Sequence, residues 1–224
     1  MALSQSTEDY LKVIYTLEEE SDSKGIGTKD IAAAMNVSAA SVTNMMKRLS
    51  EMGLVKHESY YGVQLTATGE KVALEIIRHH RLLELYLKEI MGYSWDQVHD
   101  EAEKLEHHIS EQFEDKIAEL LNHPVYDPHG DPIPSKDGSM PEEMASKPLS
   151  EAETGVDYII GRVKDQSPEL LRYFEEIGII PGVLISIKKR EPLKGPITLK
   201  IENREQVIGY DVAQNIFLVE KGDK

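Results

Sequence analysis

The apolar positions of the N-terminal segment follow the period of short amphipathic helices. Over residues 6–20 they recur every three to four positions, which predicts one helix with a buried face. Two further helical patterns begin at Thr28 and Ser38, and both residue types are suited to capping a helix. Because Asn36 and Val37 break the pattern between them, the sequence predicts two short helices joined by a tight turn.

The next segment alternates apolar and polar residues, which is the period of β-strands. Gly53 is well placed to end the preceding helix in a left-handed conformation. Residues 54–58 and 63–65 are predicted to form two short strands joined through residues 60–62. A helix-turn-helix followed by such a hairpin is typical of a winged helix, so we expect a DNA-binding domain here.

Two long helical patterns follow the hairpin. Residues 67–91 and 95–122 each carry an apolar stripe over about 25 residues, or roughly 35–40 Å at 1.5 Å per residue. Stripes of this length need a partner surface, and a second copy of the chain is an economical one. The two patterns therefore predict a helical domain that forms a homodimer.

The C-terminal part differs in composition and in period. Residues 123–150 hold six of the ten prolines, which predicts a proline-rich turn that leads into a linker. Residues 151–221 contain five short strand-like stretches and one helical pattern at 168–177. These strands predict a small barrel, so we expect a fold that is mainly α with a β C-terminal domain.

Charge and composition narrow the range of functions. Cysteine is absent, which excludes disulfide scaffolds, thiol catalysis and cysteine-based zinc sites. The formal net charge of −15 argues against nucleic-acid binding when it is taken alone. Residues 24–57, however, carry five Lys or Arg against one Asp and one Glu, whereas residues 81–122 carry eleven Asp or Glu against four Lys or Arg. The sequence thus has a locally basic module beside an acidic module that contains histidines.

The sequence also predicts where in the cell the protein lies. No apolar run approaches the roughly 20 residues that span a bilayer. The first residues lack the basic and apolar segments of a signal peptide. We therefore expect a cytoplasmic protein without a membrane partner.

The basic module supplies the candidates for DNA contacts. They share the predicted exposed face of the second helix of the helix-turn-helix, and they are Ser38, Ser41, Thr43, Asn44, Lys47 and Arg48. Hydroxyl groups would hold phosphates, and Asn44 is the best candidate to contact a base edge. Tyr61, at the predicted tip of the wing, either reaches the DNA backbone or is an ordinary turn residue. An exposed polar helix face without function is the alternative for the whole set.

Histidine and carboxylate side chains cluster at helical spacing in the acidic module. One group shares a face of the second long helix and consists of His99, Glu103, Glu106 and His107. His80 and Glu84 share a face of the preceding helix. Carboxylate and imidazole groups on facing helices form metal sites in helical bundles, although a solvated acidic face with incidental histidines has the same spacing.

No motif identifies an enzyme. The sequence has no His-Glu-x-x-His pair, no marked nucleophile and no glycine loop of the kind that holds phosphates. We therefore expect no catalytic residue and no small-molecule substrate. Two alternatives stay open, a metal-binding hydrolase or metal-buffering bundle and a winged-helix regulator that senses an organic ligand.

Several of these segments resemble the metal-dependent repressors of the diphtheria toxin repressor type. The matching motifs are Ser6-Thr-Glu-Asp-Tyr-Leu11, Val37-Ser-Ala-Ala-Ser-Val-Thr43, His79-His-Arg-Leu82, His99-Asp-Glu-Ala102, Glu106-His107 and Asp131-Pro-Ile-Pro134. Gly178-Ile-Ile-Pro-Gly182 is similar to the SH3-like barrel of the ferrous-transport-protein A type. The resemblance covers nearly the whole chain. It implies a repressor that a ferrous or manganous ion activates to bind double-stranded operator DNA as a homodimer.

The resemblance also implies two metal sites. The primary site would consist of Asp9, Glu103, Glu106 and His107. The ancillary site would consist of His80, Glu84 and His99, with Asp165 or Gln166 as the ligand from the barrel.

Two positions depart from the iron-type members, which carry Met where Asp9 stands and Cys where Glu103 stands. Since hard oxygen donors suit manganese better than thioether or thiolate, we predict Mn²⁺ as the cofactor, with Fe²⁺ as the alternative. Lys12 stands where two-domain manganese regulators have an additional carboxylate, so the resemblance implies two separate mononuclear sites.

The predicted domains follow from these assignments. They are a winged helix-turn-helix DNA-binding domain at 1–72, a helical metal-binding and dimerisation domain at 73–140, a linker at 141–150 and an SH3-like barrel at 151–224. We predict a manganese-responsive transcriptional repressor that controls genes of metal-ion homeostasis and is not an enzyme.

Overall fold

The structure is a computed structural model that describes residues 3–21, 25–58, 62–142, 145–164 and 167–221. The chain divides into two compact units. Unit 1 consists of Met1–His80, Lys104–Ser110 and Pro134–Ser139. Unit 2 consists of Arg81–Glu103, Glu111–Ile133 and Met140–Lys224. Each unit thus gathers three separate stretches, and the consecutive domain ranges inferred from the sequence stay a prediction.

Unit 1 begins with the three predicted helices, α1 (Gln5–Glu19), α2 (Thr28–Ala34) and α3 (Ala39–Glu51). The amides of Asn36 and Val37 close the turn after α2 by donating to the carbonyls of Ala33 and Ala32. Asn36 has a φ of 51°, in the left-handed region that asparagine tolerates. This turn joins α2 to α3 as in a helix-turn-helix.

A hairpin completes the winged helix. Gly53 follows α3 with a φ of 72°, as predicted from the sequence. Strands β1 (Val55–Glu58) and β2 (Gly62–Leu65) then pair antiparallel. Ile26 adds a short bridge to Val63 of β2. The predicted winged helix is therefore confirmed.

Helices α1 and α3 bury their apolar faces in one core. Its members include Tyr10, Leu11 and Ile14 of α1, Val42, Met46 and Leu49 of α3, and Val63 of the wing. Burial of apolar surface, at about 25 cal/mol per Å², holds these elements together. Because α1 and α3 share this core, fixing α1 also fixes α3.

The structure agrees with only one of the two long helices predicted from the sequence. Helix α4 (Ala67–Glu89) agrees with the first, but the predicted single helix over residues 95–122 is wrong. The chain forms α5 (Val98–Leu105) and α6 (Glu111–Leu120), separated by residues 106–110. The break allows Glu106, which is 0% exposed, to pair through both carboxylate oxygens with Lys12. A buried carboxylate without a partner costs more free energy than the hydrogen bonds of one helical turn supply.

Unit 2 contains a six-stranded antiparallel sheet in the order β3-β8-β4-β5-β6-β7. The strands are β3 (Ser146–Pro148), β4 (Asp157–Val163), β5 (Leu184–Arg190), β6 (Ile197–Ile201), β7 (Arg204–Ile208) and β8 (Ile216–Glu220). Two helices lie between strands along the chain, α7 (Pro168–Ile177) and α8 (Tyr210–Ala213). The predicted β C-terminal domain is confirmed, and β3 is a strand that the sequence pattern did not indicate.

Strand β3 lies inside the predicted linker at 141–150. It pairs with β8, and a 3-10 turn (Leu149–Glu151) follows it. Leu149 is 0% exposed and belongs to the core of the sheet. The second half of the predicted linker is therefore ordered, because burying Leu149 stabilises this segment against the sheet.

A turn at residues 127–133 contacts β4 within unit 2. The amide of Val163 donates to the carbonyl of His129 at 2.9 Å. Gly130 has a φ of 89°, and a Cβ atom there would lie 2.0 Å from the carbonyl oxygen of Gly161. The turn and the strand are thus so close that only glycine fits at position 130.

The core of unit 2 also includes a residue from the helical segment. Trp95 is 1% exposed and belongs to the same apolar cluster as Tyr158 and Ile160 of β4 and Phe174 of α7. The Trp95 ring stacks on His129, with ring centroids 5.6 Å apart and planes inclined by 15°. The helical part of unit 2 and its sheet therefore share one hydrophobic core.

Candidate metal centres and nucleic-acid interface

The exposed face of α3 carries the predicted DNA-contacting residues. Those in the described part of the chain are all exposed, and they are Ser38, Ser41, Thr43, Asn44, Lys47 and Arg48. The opposite face of α3 lies in the core of the winged helix. Tyr61 lies outside the described residues, so its predicted contact stays a prediction.

Some hydroxyl groups on this face also stabilise α3. Ser38 caps the helix, since its Oγ accepts a hydrogen bond from the amide of Ser41 at 3.2 Å. Thr43 Oγ1 donates to the carbonyl of Ala39 at 2.9 Å. These groups have local partners, which leaves Asn44 as the strongest candidate for reading a base edge.

Unit 1 holds a group of three residues that we call the primary group, namely Asp9, Glu106 and His107. Asp9 lies on α1, whereas the other two directly follow α5. One ligand atom of each lies within 4.8 Å of the others. His107 Nε2 is 2.7 Å from Asp9 Oδ1 and 3.3 Å from Glu106 Oε1. The group thus joins the first helix of the winged helix to the segment after α5.

The ring of His107 is oriented by a residue that the sequence reasoning missed. Its Nδ1 lies 2.7 Å from Oε2 of Glu8, which precedes Asp9 on α1. Its Nε2 is buried and, although Asp9 Oδ1 lies 2.7 Å away, it makes no hydrogen bond of suitable geometry among the described residues. A carboxylate on one ring nitrogen directs the other toward a metal ion, as is usual for histidine ligands.

The carboxylate of Glu106 has two further partners in unit 1. The Nζ of Lys12 donates to both carboxylate oxygens at 2.9 Å each. The Nδ1 of His80 lies 2.5 Å from Glu106 Oε2. The structure therefore places His80 beside Glu106, and its expected role in the ancillary site stays a prediction.

Unit 2 holds a group that we call the second group, consisting of Glu84, Asp127 and His129. All three are buried, and one ligand atom of each lies within 4.8 Å of the others. Glu84 Oε2 is 3.5 Å from His129 Nδ1, and its Oε1 is 3.2 Å from His99 Nδ1. Neither ring nitrogen of the fully buried His129 has a hydrogen-bond partner within the described ranges.

The electrostatics of the second group favour a cation. Burial raises the pKa of Asp127 well above its usual value, and the negative charges of Asp131 and Glu84 raise it further. Asp127 Oδ1 accepts hydrogen bonds from the amides of His129 and Asp131 at 2.8 and 2.9 Å. These bonds hold the carboxylate in place, while a divalent ion would relieve the repulsion that opposes its ionisation.

The remaining predicted ligands are Glu103 and, from the barrel, Asp165 or Gln166. Glu103 belongs to unit 2, where its Oε1 is 4.0 Å from His99 Nε2. Asp165 and Gln166, the candidates for a ligand from the barrel, lie outside the described residues. The expected roles of these residues stay predictions.

Sequence reasoning assigned no role to Asp127 or to His129. Both lie outside any helical pattern, 43 and 45 residues after Glu84 in the chain, so periodicity does not connect them. The available signal was the segment Asp127-Pro-His129-Gly-Asp131, in which short polar residues, Pro and Gly indicate a tight turn. A turn that follows directly on an acidic helical module can bring its carboxylate and imidazole back to that module.

The chemistry of both groups fits a divalent ion with hard or borderline preferences. Each consists of two carboxylates and one imidazole, without a sulfur donor. Such ligands suit Mn²⁺, Fe²⁺ and Zn²⁺. The buried imidazole nitrogens that lack a hydrogen bond in each group are the atoms that an ion would satisfy.

Three protein-family models match the chain. The iron-dependent repressor N-terminal DNA-binding domain matches residues 2–63. The iron-dependent repressor metal-binding and dimerisation domain matches residues 66–135, and a FeoA domain matches residues 147–220. The iron-dependent repressor IdeR of Mycobacterium leprae is 30% identical over 200 residues, which are 83% of this chain and 85% of that protein. The chain belongs to the iron-dependent repressor family.

Other members of the iron-dependent repressor family extend the comparison. The regulator MntR of Oceanobacillus iheyensis is 38% identical over 119 residues, which cover 53% of this chain and 78% of that protein. A solved manganese-dependent transcriptional repressor, in complex with manganese, is 39% identical with a TM-score of 0.83. The similarity covers 96% of this chain and 99% of that one.

Membership of the iron-dependent repressor family establishes the general function of the chain. The chain is a metal-dependent, DNA-binding transcriptional repressor with a winged helix, a helical dimerisation domain and a FeoA-like sheet domain. The resemblance to the diphtheria toxin repressor type is thereby confirmed. Across the described ranges, no helix is both long enough and apolar enough to cross a membrane.

Proposed function

We propose that this protein is a manganese-dependent repressor of metal-homeostasis genes that acts as a homodimer on double-stranded operator DNA. The observation that carries the proposal is the primary group, in which Asp9 of α1 meets Glu106 and His107. We place the protein in the cytoplasm, where its DNA target lies. We assign it no catalytic role, since its family consists of transcriptional repressors.

The primary group links metal binding to DNA binding through α1. Without metal, the carboxylates of Asp9 and Glu106 repel each other across the group, and a divalent ion reverses the sign of that interaction. Asp9 then holds α1 against the segment after α5. Because α1 shares its core with α3, the recognition helix takes a fixed position relative to that segment.

A fixed position matters because operator half-sites lie about one DNA turn apart, or a multiple of it. Only a dimer whose two recognition helices keep that spacing contacts both half-sites. Metal and operator then bind cooperatively, and the coupling is reciprocal. Operator DNA should therefore raise the affinity for metal by the same factor by which metal raises the affinity for DNA.

Exposed apolar side chains of unit 2 support the homodimer. Ile90 and Met91, which directly follow α4, are 49% and 56% exposed, and Phe113 and Leu120 of α6 are 45% and 59% exposed. Phe113 contacts Tyr86 of α4 edge to face, with centroids 6.4 Å apart. Apolar surface of this kind is typical of a subunit interface.

The second group supports a second, separate metal site. It ties Glu84 of α4 to Asp127 and His129 in the turn that contacts β4. In the proposed protein, an ion here fixes the sheet to the helical part of unit 2. Each protomer then binds two ions, one in each unit.

Manganese is proposed over iron because Asp9 and Glu106 are hard oxygen donors and the primary group has no thioether or thiolate. Oxygen ligands with one imidazole allow six or more bonds, as manganese prefers, whereas zinc is satisfied with four. The similar solved repressor that is described as a complex with manganese supports this choice.

Operator binding at buffered free metal tests the proposal. Genomic fragments selected with Mn²⁺, Fe²⁺ under anaerobic conditions, Zn²⁺ or no metal should yield one operator, with Mn²⁺ the most effective activator. His107→Ala should abolish activation, while His108→Ala, at the exposed neighbouring position, serves as the matched control. Activation by Fe²⁺ but not by Mn²⁺ would contradict the manganese assignment, and metal-independent binding would contradict the mechanism.

A further inference from the structure

Trp95 is a buried aromatic residue that contacts a member of the second group. Its side chain is 1% exposed, and its ring stacks on the imidazole of His129 with centroids 5.6 Å apart and planes inclined by 15°. Two nearly parallel rings at this distance attract each other beyond the burial of their apolar surface. The indole therefore acts directly on the ring of His129, although Trp95 itself offers no metal ligand.

This stacking contact orients the imidazole of His129. Neither ring nitrogen has a hydrogen-bond partner in the described part of the chain, and Glu84 Oε2 is 3.5 Å from Nδ1. The main chain of His129 is held on both sides, since its amide donates to Asp127 Oδ1 at 2.8 Å and its carbonyl accepts from the amide of Val163 at 2.9 Å. The main-chain bonds thus fix where the ring is attached, while Trp95 fixes the plane of the ring.

The plane of a histidine ring decides where the ring can bind a metal ion, because the lone pair of its nitrogen lies in that plane. A hydrogen bond on the other ring nitrogen usually sets this orientation. Glu8 provides such a bond for His107 in the primary group. In the second group, the face of the indole takes the place of that hydrogen bond. A ligand whose orientation is already fixed by packing need not be ordered when the ion binds.

Trp95 is in turn held by contacts within unit 2. Arg172 of α7 donates from Nη1 to Oδ2 of the adjacent Asp96 at 2.6 Å. The Nζ of Lys88 lies 5.0 Å from the centroid of the Trp95 ring, which is a favourable cation–π distance. Lys88 lies four residues after Glu84 on α4. The same helix thus supplies a ligand of the second group and a contact that holds the indole.

Packing alone does not explain an indole at position 95. Its Nε1 is buried and has no hydrogen-bond partner within the described ranges. A buried N–H group that loses water without gaining a hydrogen bond is unfavourable. Phenylalanine would fill apolar space without this penalty, so the property that the indole contributes here is its broad aromatic face.

We propose that Trp95 is a positioning residue of the second group, whose aromatic face holds the imidazole of His129 in the plane in which it coordinates a divalent ion. The inference rests on the proposed function, because it requires that the second group binds metal. It assigns a role in metal affinity to a residue that is not a ligand. Another aromatic ring at position 95 should fulfil this role, whereas an aliphatic side chain should not.

Manganese binding to the purified full chain tests this role, with His107→Ala in every variant to remove the primary group. By calorimetry, Trp95→Leu should bind Mn²⁺ at least about tenfold more weakly, as is usual when the partner that orients a histidine ligand is lost. Trp95→Phe should keep most of the affinity, since it retains an aromatic face and loses no hydrogen bond. Phe174→Leu, at another fully buried aromatic position of the same core, is the matched control and should leave the affinity unchanged.

The mobility of the His129 ring in the metal-free protein is the second readout. Nuclear magnetic relaxation of ¹³C-labelled histidine rings measures it, and His129→Ala identifies the resonance. The ring should be rigid in the parent, in Trp95→Phe and in Phe174→Leu, and mobile in Trp95→Leu. If Trp95→Leu fails to fold, Trp95→Met, which is also apolar but more flexible, repeats both measurements.

Three results would overturn the proposal on its own. They are an unchanged affinity in Trp95→Leu, an equal loss of affinity in Trp95→Phe or Phe174→Leu, and a ring of His129 that stays rigid in Trp95→Leu. His129→Ala separates these failures from that of the proposed function. If His129→Ala left the binding of manganese unchanged in the same background, the second group would not be a metal site. Both this proposal and the proposed second metal site would then be overturned.

Discussion

At the scale of single residues, Asn44 and Lys47 separate sequence readout from general attraction to DNA. An asparagine amide pairs with one base edge, whereas lysine pairs with the phosphates of any sequence. We expect Asn44→Ala to weaken operator binding by about 1–3 kcal/mol without affecting random DNA, and Lys47→Ala to weaken both alike. Fluorescence anisotropy on operator and random duplexes measures both effects. Equal losses on the two duplexes for Asn44→Ala would exclude Asn44 from base readout.

Asp127 should make the stability of the metal-free protein depend on pH. Burial raises the pKa of this carboxyl above its usual 3.8, so the folded state binds the proton more tightly than the unfolded state. The free energy of unfolding should then fall as the pH rises from about 4 through the raised pKa. Urea denaturation with a chelator present, at several pH values, measures this fall. Asp127→Asn should flatten it.

A matched control distinguishes Asp127 from a surface carboxylate. Asp137 has its pKa lowered to about 2, chiefly by hydrogen bonds from Ser135 and Ser139. The stability that Asp137 contributes is therefore lost only as the pH falls toward 2, and Asp137→Asn should keep the fall above pH 4. A metal-free parent with a flat profile above pH 4 would contradict the prediction.

Single residues also show how much of the candidate sites could be predicted from the sequence. Asp9, Glu106 and His107 belong to sequence motifs that predict them as ligands, and they do come together in the fold. Asp127 and His129 were not predicted as ligands, because their partner Glu84 is reached only through a turn and through burial. Neither a turn nor burial produces a periodic pattern in the sequence. Spacing groups residues within one predicted helix, but it does not group residues that come together from different helices or through a turn.

At the scale of helices and strands, the contrast between periodic patterns and contacts made only in the fold explains which parts could be predicted. Helix α7 has the predicted bounds, since it combines a clear helical period with flanking turn residues. The break between α5 and α6 was missed. Its cause is the polar pairing of Glu106, whereas the apolar positions continue at helical spacing through Ile109 and Phe113. Periodicity alone cannot detect a break that a buried charge imposes.

The close contact between the turn at 127–133 and β4 gives a prediction at this scale. Gly130→Ala should destabilise unit 2 for two reasons, a φ of 89° and a Cβ atom 2.0 Å from the carbonyl oxygen of Gly161. Gly155→Ala is the matched control, because Gly155 has a φ of 81° but no atom within 4 Å of the added Cβ.

The strain at Gly155 alone should cost about 1–2 kcal/mol, and Gly130→Ala should cost clearly more. Thermal unfolding followed by tryptophan fluorescence measures the difference. Equal losses in the two variants would mean that the turn moves away from β4 without cost. The contact would then contribute little to the stability of unit 2.

At the scale of the whole molecule, the single tryptophan reports on one unit only. Trp95 stacks on His129 in unit 2, and unit 1 has no tryptophan. We expect manganese to change the fluorescence of Trp95 in the parent and in His107→Ala, but not in His129→Ala. Total manganese binding should fall from two ions to one in both variants. A fluorescence change lost in His107→Ala would show that the two sites are not independent.

The interleaving of the two units has a consequence for biosynthesis. Unit 1 needs the stretch Pro134–Ser139, and the sheet of unit 2 needs β8 near the C-terminus, which pairs with both β3 and β4. A ribosome adds roughly 5–20 residues per second, and domains usually fold in the order in which they emerge. Here the N-terminal winged helix leaves the ribosome well before His107, which completes the primary group. Under the proposed function, a nascent chain therefore presents a recognition helix that metal cannot yet control, and regulation begins only once the later stretches of unit 1 have been synthesised.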